Sequence, residues 1–237
     1  MEKRVMLITG ASGGMGTAIS KWFNEFDYQL VLHYFDHQPS LPTSENVTHL
    51  NADLRDPAAI QEMVKEIVSR YGRLDVVINN AGISRSAMSW KTSLDAWNET
   101  MAVNLNAPFV IAASTIPKMR EHSFGRIINI TSVVAQSGAV GTAAYAASKA
   151  GLIGLTKTIS KEVALSGITV NALALGYFNT GMITDVPEEI QKNIVQSIPM
   201  NRLGTTDTVC KTIEWLISQE AGYVTGQVIN LNGGMQG

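Results

Sequence analysis

Short runs of aliphatic and β-branched residues recur from one end of the chain to the other: RVMLIT, QLVLHY, NVTHL, LDVVIN, RIINIT, ITVNALA and QVINL. Several are continuous apolar runs without the alternation of a half-exposed strand, so they are expected to be covered on both faces. Between them, apolar residues return at helical spacing. Ile19, Trp22, Phe23 and Phe26 fall at i, i+3, i+4 and i+7, one face of a first helix. In the next, Asp56 stands where it can cap the helix and Pro57 suits the first turn. The stripe Ile60, Met63, Val64, Ile67, Val68 and Tyr71 then runs to a stop at Gly72.

Strand and helix alternate to QVINL near the C-terminus, with no linker, repeat or low-complexity segment between them. Such alternation makes each strand parallel to its neighbours and joins them by right-handed crossovers. The pattern predicts one α/β domain over residues 1–237: a doubly wound, Rossmann-type, seven-stranded and mostly parallel sheet with helices on both faces.

Composition narrows the function. Of 237 residues, 45% are hydrophobic and 16% charged, which is globular. A net charge of −2, with no interleaving of basic and aromatic residues, argues for no nucleic acid and no membrane surface as partner. His33, His37, His49 and His122 are scattered without supporting Cys or carboxylate spacing, so no metal is expected. The lone Cys210 has no intramolecular partner and reads as a buried thiol in a reducing compartment. The opening MEKRVMLITG has too short an apolar run for a signal peptide, and no run approaches a membrane span, so a cytoplasmic location is expected.

After the first strand comes TGASGGMG, Thr9 to Gly16, leading into the first helix. Glycines here allow a tight turn and let a pyrophosphate approach the free N–H groups of a helix N-terminus. The Gly-Lys-Ser/Thr ending of a phosphoryl-transfer loop is missing, which argues against an ATPase or GTPase. Further on, YAASKAG places Tyr145 and Lys149 four residues apart, on one helix face, among small residues that leave room for a ligand. A free phenol titrates near 10, and a nearby ammonium favours its anion, so the pair is a sensible acid/base.

With these residues in order, the chain resembles the short-chain dehydrogenase/reductase family. Gly10, Gly14 and Gly16 match its Thr-Gly-x-x-x-Gly-x-Gly turn, NNAG (Asn79 to Gly82) follows the fourth strand, and NITS ends at Ser132. Tyr145 stands thirteen residues past Ser132, Asn104 lies in AVNLNAPF, and the likeness continues to YVTGQVINLNGGM. The resemblance implies carbonyl reduction with a nicotinamide cofactor. Tyr145 would exchange a proton with the substrate oxygen, and Ser132 would hydrogen-bond that oxygen. Lys149 would hold the nicotinamide ribose and tune Tyr145, while Asn104 would position a water leading to Lys149. It also implies cofactor contacts from Gly10, Ser12, Gly14, Met15 and Gly16 in the turn, and from Leu54 and Asp53 near the adenine. Further contacts would come from Asn80, Ala81 and Gly82, from Tyr145 and Lys149, and from Gly176, Phe178 and Thr180 beside the carboxamide.

An acid at the end of the second strand would bind the adenosine ribose of NAD, and a base there the extra phosphate of NADP. Eighteen residues past Gly16 stands Tyr34, followed by Phe35 and Asp36, while the other usual basic site is Gly13. NAD(H) and NADP(H) both stay open, with Asp36 tilting the balance to NAD(H) and Ser12, His33 or His37 left as phosphate ligands. Within the family the chain most resembles bacterial 3-oxoacyl-[acyl-carrier-protein] reductases, through ITSVVAQSG, YAASKAGLIGLTK, GITVNALA and NRLGTT. That implies a 3-oxoacyl thioester of fatty-acid synthesis as substrate, with another alcohol or sugar dehydrogenase, or a non-catalytic dinucleotide-binding protein, as alternatives. It also implies acyl carrier protein docking on basic residues such as Lys118, Arg120 and Arg126, although Ser166 replaces the usual second arginine. A homotetramer is implied through the helices of Asn104 and Tyr145, with Leu152, Leu155, Ile159 and Val163 available either for that contact or for the chain's own core. Leu175 replaces the usual proline before Gly176, so a looser start to the substrate loop is expected. Residues 177–200 are read as a lid lined by Met182, Ile183 and Val186.

Overall fold

The computed structural model describes residues 3–181, 183 and 186–236. All seven apolar runs are strands of one sheet: β1 (Arg4–Ile8), β2 (Tyr28–Tyr34), β3 (Val47–Asn51), β4 (Val76–Asn79), β5 (Gly125–Ser132), β6 (Ile168–Leu175) and β7 (Val228–Leu231). Their order is β3-β2-β1-β4-β5-β6-β7, and every neighbouring pair is parallel. β5 and β6 are buried along their whole length, as their unbroken apolar character requires.

Helices cover both faces. On one, α2 (Pro57–Tyr71), α4 (Ala107–Glu121) and α6 (Ala143–Val163) pack over Leu7, Val77 and Ile127. On the other, α1 (Gly14–Phe23) and α8 (Thr206–Ile217) pack over Ile8, Ile78 and Ile128. The remaining helical segments are α3 (Leu94–Met101), a short α5 (Val134–Ser137) and α7 (Glu188–Ser197). α2 is built as its sequence reads: the Asp56 carboxylate accepts from Ala58 N at 2.8 Å, and Gly72 closes the helix with φ of 72°. α1 is shorter than its apolar stripe. It ends at Phe23, and Phe26 lies beyond it, 40% exposed and stacked on Trp22.

The chain runs outward from β1 to β3, then returns to place β4 on the other side of β1. At that reversal the strand ends diverge and leave a crevice, the place where open α/β sheets take ligands. Ser132, at the end of β5, stands on the same rim. α6 is pinned beneath it by two buried bonds, Thr131 Oγ1 to Lys149 O at 3.0 Å and Asn129 Nδ2 to Thr156 Oγ1 at 2.9 Å. This docking sets where Tyr145 and Lys149 point.

The fold corrects one expectation about partners and decides between two readings of a helix face. Arg126 is 2% exposed, donates to the carbonyls of Gly125, Gly167 and Ser218, and cannot dock a carrier protein. Arg120 is exposed, while Lys118 is paired with Glu121. Leu152, Ile159 and Val163 are buried within the chain's own core, and Leu155, partly buried, packs against it. Their helix is apolar because it covers the sheet. Among the described residues, no helix is long and apolar enough to cross a membrane.

Candidate active site

The glycine turn closes against the loop after β4. Gly10 has φ of 63°, and a Cβ there would come within 2.9 Å of the Ala81 Cα; one on Gly16 would strike the Gly10 carbonyl. Thr9 Oγ1 accepts from the N–H groups of both Asn80 and Ala81 at 3.0 Å. Asn80 Nδ2 in turn donates to the carbonyls of Thr9 and Gly10. Gly13 caps α1 without a side chain and no acid occupies the first turn, which leaves that N-terminus available to an anion.

His33 holds the turn from below. Its Nδ1 accepts from Gly10 N at 3.2 Å and its Nε2–H donates to Ala52 O at 3.0 Å, so the ring is neutral and both nitrogens are engaged. It cannot also hold a phosphate. Burial pushes its pKa below the ordinary 6.5. The unfolded chain therefore takes up a proton that the folded chain resists, and stability is complete above about 6.5 and falls as pH drops below it. The thermal midpoint should decline from about pH 7 to about pH 5. His33→Gln, which keeps an acceptor and a donor, should flatten that decline; an equal slope would remove His33 as its cause.

Along the cleft from the turn stand Ser132, Tyr145 and Lys149. The Ser132 hydroxyl accepts from Val134 N at 3.2 Å, and it lies close enough to the Tyr145 phenol to act on its ionisation. Lys149 is 3% exposed, donates from Nζ to Ile130 O at 2.8 Å, and lies 5.9 Å from the Tyr145 ring centroid. Burial lowers its pKa to about 8. Burial also raises that of Tyr145, against the opposing effect of the Ser132 hydroxyl, and the Tyr177 phenol adds to the rise. The expected lowering of Tyr145 by Lys149 is not seen, because desolvation of the partly buried phenol prevails and the ammonium is 5.9 Å from the ring centroid. Asn104 is fully buried in a π-helical turn, Ala102–Asn106. Its Oδ1 accepts from Ile83 N, and its Nδ2 donates to Ile83 O and Ser148 Oγ, so its side chain ties the β4 loop to α6.

One cleft of about 760 Å³ collects nearly every residue predicted from the sequence. Gly10, Ser12, Gly14, Met15 and Gly16 line it, as do Asp36, Asp53, Leu54, Asn80, Ala81 and Gly82. Ser132, Tyr145, Lys149, Gly176, Phe178 and Thr180 complete the wall; Asn104 stands behind it. The glycine turn, the open helix end and the volume of the cleft fit a dinucleotide. Leu175 does not loosen the substrate loop: its carbonyl accepts from Val133 N at 2.8 Å, and Gly176 N donates to Leu231 O at 2.9 Å. β-Pairing does there what proline does elsewhere. Ile183 and Val186 line the cleft, and Met182 lies outside the described residues.

Sequence reasoning missed Arg55, Arg85, Glu99 and Tyr177, all of which line the same cleft. Arg55 holds Asp53 by Nε at 2.9 Å and Nη2 at 2.7 Å, which keeps the Asp53 carboxyl below its ordinary range. Tyr34, in contrast, turns its ring edge to His49 on β3. No spacing rule marks Arg55, although its place two residues after Asp53 in DLRD is the available signal.

The family model described as enoyl-(acyl carrier protein) reductase matches residues 10–236. Nodulation protein G of Azospirillum brasilense is 37% identical, with 99% of each chain covered. Acetoacetyl-CoA reductase of Shinella zoogloeoides is also 37% identical, covering 98% of each. The 3-oxoacyl-[acyl-carrier-protein] reductase of Thermotoga maritima is 37% identical over 99% of this chain and 98% of its own.

Proposed function

The chain belongs to the short-chain dehydrogenase/reductase family as an NAD(P)-dependent oxidoreductase that reduces a carbonyl, and we propose that its substrate is a 3-oxoacyl thioester carried on acyl carrier protein. The observation that carries this reading is the gathering of Ser132, Tyr145 and a buried Lys149 on the wall of the cleft that begins at the glycine turn. The names of the relatives, which act on 3-oxoacyl and acetoacetyl thioesters, support the substrate class. Two hydroxyl donors on one cleft wall suit a carbonyl oxygen better than the carbon–carbon double bond of an enoyl group.

When bound, the dinucleotide supplies the hydride. The α1 N-terminus and the glycine turn receive its pyrophosphate, and Asn80 holds that turn in shape. Tyr145 donates its phenolic proton to the substrate oxygen, and Ser132 donates a second hydrogen bond to the same atom as charge develops there. Lys149 holds the nicotinamide ribose, and its positive charge stabilises the phenolate that the transfer leaves behind. Asn104 acts as a positioning residue between the β4 loop and α6. Residues 177–200 act as a lid, with Ile183 and Val186 toward the acyl chain; α7 contributes no buried residue and so has little to hold it down. Phe109 of α4, 54% exposed, is the apolar side chain we assign to subunit pairing, with a homotetramer in the cytoplasm as the expected form.

The cofactor is NAD(H) on this reading. Asp36 faces the adenosine end of the cleft, no base stands at Phe35 or Gly13, and both nitrogens of His33 are engaged. The test is oxidation of NADH and of NADPH with acetoacetyl thioesters of acyl carrier protein and of coenzyme A. Faster turnover of the carrier-bound form with NADH is expected. Equal turnover of both thioesters would remove the carrier protein, and turnover of neither would remove the substrate class.

A further inference from the structure

We propose that Glu99 sets the dinucleotide preference of this protein by occupying Arg55. The inference rests on the reading of the cleft as a nicotinamide dinucleotide site. At the adenosine end of that cleft Phe35 and Asp36 face Asp53 and Arg55, across the space into which an adenosine ribose would turn. A 2′-phosphate in that space needs a guanidinium or ammonium whose charge is not already taken up by carboxylates. Arg55 is placed for this, with its guanidinium 5.0 Å from the Phe35 ring centroid, but three of its five N–H donors are turned to carboxylates and its charge is neutralised by them. Nε and Nη2 grip both oxygens of Asp53, and Nη1 reaches Glu99 at 3.3 Å. Glu99 comes from α3, which belongs to none of the nucleotide-binding strand ends. Its carboxylate is held in place by Arg85, at 3.0 Å from Nε and 3.2 Å from Nη2.

Charges along this wall then cancel in pairs, Asp53 and Glu99 against Arg55 and Arg85. Asp36 is left over, and it repels a 2′-phosphate while suiting a ribose hydroxyl. Neutralising Glu99 frees one edge of Arg55 and shifts the local sum by one positive charge. Glu99 is thus a positioning residue for Arg55, and Arg55 becomes a phosphate ligand only in its absence. The pairs are partly exposed, with side chains 43% accessible for Arg55 and 25% for Glu99, so the effect is screened and modest.

The test is direct binding, followed by tryptophan fluorescence or calorimetry, of NADH and NADPH to wild type, Glu99→Gln and Glu99→Gln/Arg55→Gln. In Glu99→Gln the ratio of NADPH to NADH dissociation constants should fall on the order of fivefold, and less at high salt. The double variant should return the ratio to its wild-type value. An unchanged ratio in Glu99→Gln, or a shift that survives the loss of Arg55, overturns the inference while leaving the dinucleotide site intact. Wild-type protein that binds neither dinucleotide would overturn the reading of the cleft and this inference with it.

Discussion

Tyr145→Phe should lower turnover of a 3-oxoacyl thioester by about 10²- to 10⁴-fold, the range for loss of a positioned general acid. The dissociation constant for dinucleotide should change little. The substitution keeps the partly buried ring in place and removes the hydroxyl that would meet the substrate oxygen. Ser132 keeps its bond from Val134 N. Because burial holds the phenol above its ordinary pKa, wild-type Tyr145 stays protonated through the neutral range, which suits reduction. Oxidation of the alcohol, which needs the phenolate, should rise with pH. Single-turnover rates and dinucleotide titrations of the two proteins decide the matter. Turnover within a few-fold of wild type would take Tyr145 out of the mechanism.

Lys149→Met should separate activity from stability. Lys149 is deep under the cleft, and its charge is maintained against burial, with a pKa of about 8 against an ordinary 10.5. At 1.36 kcal/mol per unit, holding that proton in the folded state costs about 3 kcal/mol at neutral pH. The sign follows from the lowered value. Below about 8 both states are charged and the cost is complete; as pH rises from 8 toward 10.5 the folded chain gives up its proton first, and stability increases. Methionine removes the charge and leaves the Ile130 carbonyl without its donor, an offsetting loss of about 1–3 kcal/mol. The variant's thermal midpoint at pH 7 should therefore be no lower than wild type and should not rise between pH 8 and 10 as wild type does. Turnover should fall by about 10²-fold or more, as for loss of a preorganised charge beside the reacting oxygen, and dinucleotide affinity should fall with it. In wild type, kcat/KM for reduction should decline above about pH 8 as Lys149 titrates. A variant that melts well below wild type would show that Lys149 stabilises the fold, contrary to its burial.

Both variants depend on residues that are legible in the chain, and the reason is local. Apolar runs between helical stripes, a cap at Asp56 and a stop at Gly72 are written in short-range chemistry, and they became the elements they predict. Once the strands are parallel, the ends that carry Gly10, Asn80, Ser132 and Gly176 must lie on one rim, so a list of motifs becomes a list of neighbours. Tyr145 and Lys149 share a face because a helix has 3.6 residues per turn. Their spacing carries their proximity but not their dryness, and dryness is what moved both pKa values.

Residues whose role depends on the docking of distant elements could not be read this way. Arg126 looked like a surface base, and its strand carried it into the core, where the carbonyls of Gly167 and Ser218 receive it. Leu152, Ile159 and Val163 suited an interface or a core equally, and the sheet took them. His33 is one of four scattered histidines until β1 and β3 place the Gly10 amide and the Ala52 carbonyl on its two nitrogens. Arg55 and Glu99 lie 44 residues apart, and nothing in either neighbourhood announces the pair. The sequence by itself determined which elements form, their order along the chain, and the residues gathered at the rim, because period, capping and turn geometry act within a few residues. Tertiary structure alone decided which charges are buried, neutralised or left facing the cleft, because those depend on the distances and the dielectric between elements far apart in the chain.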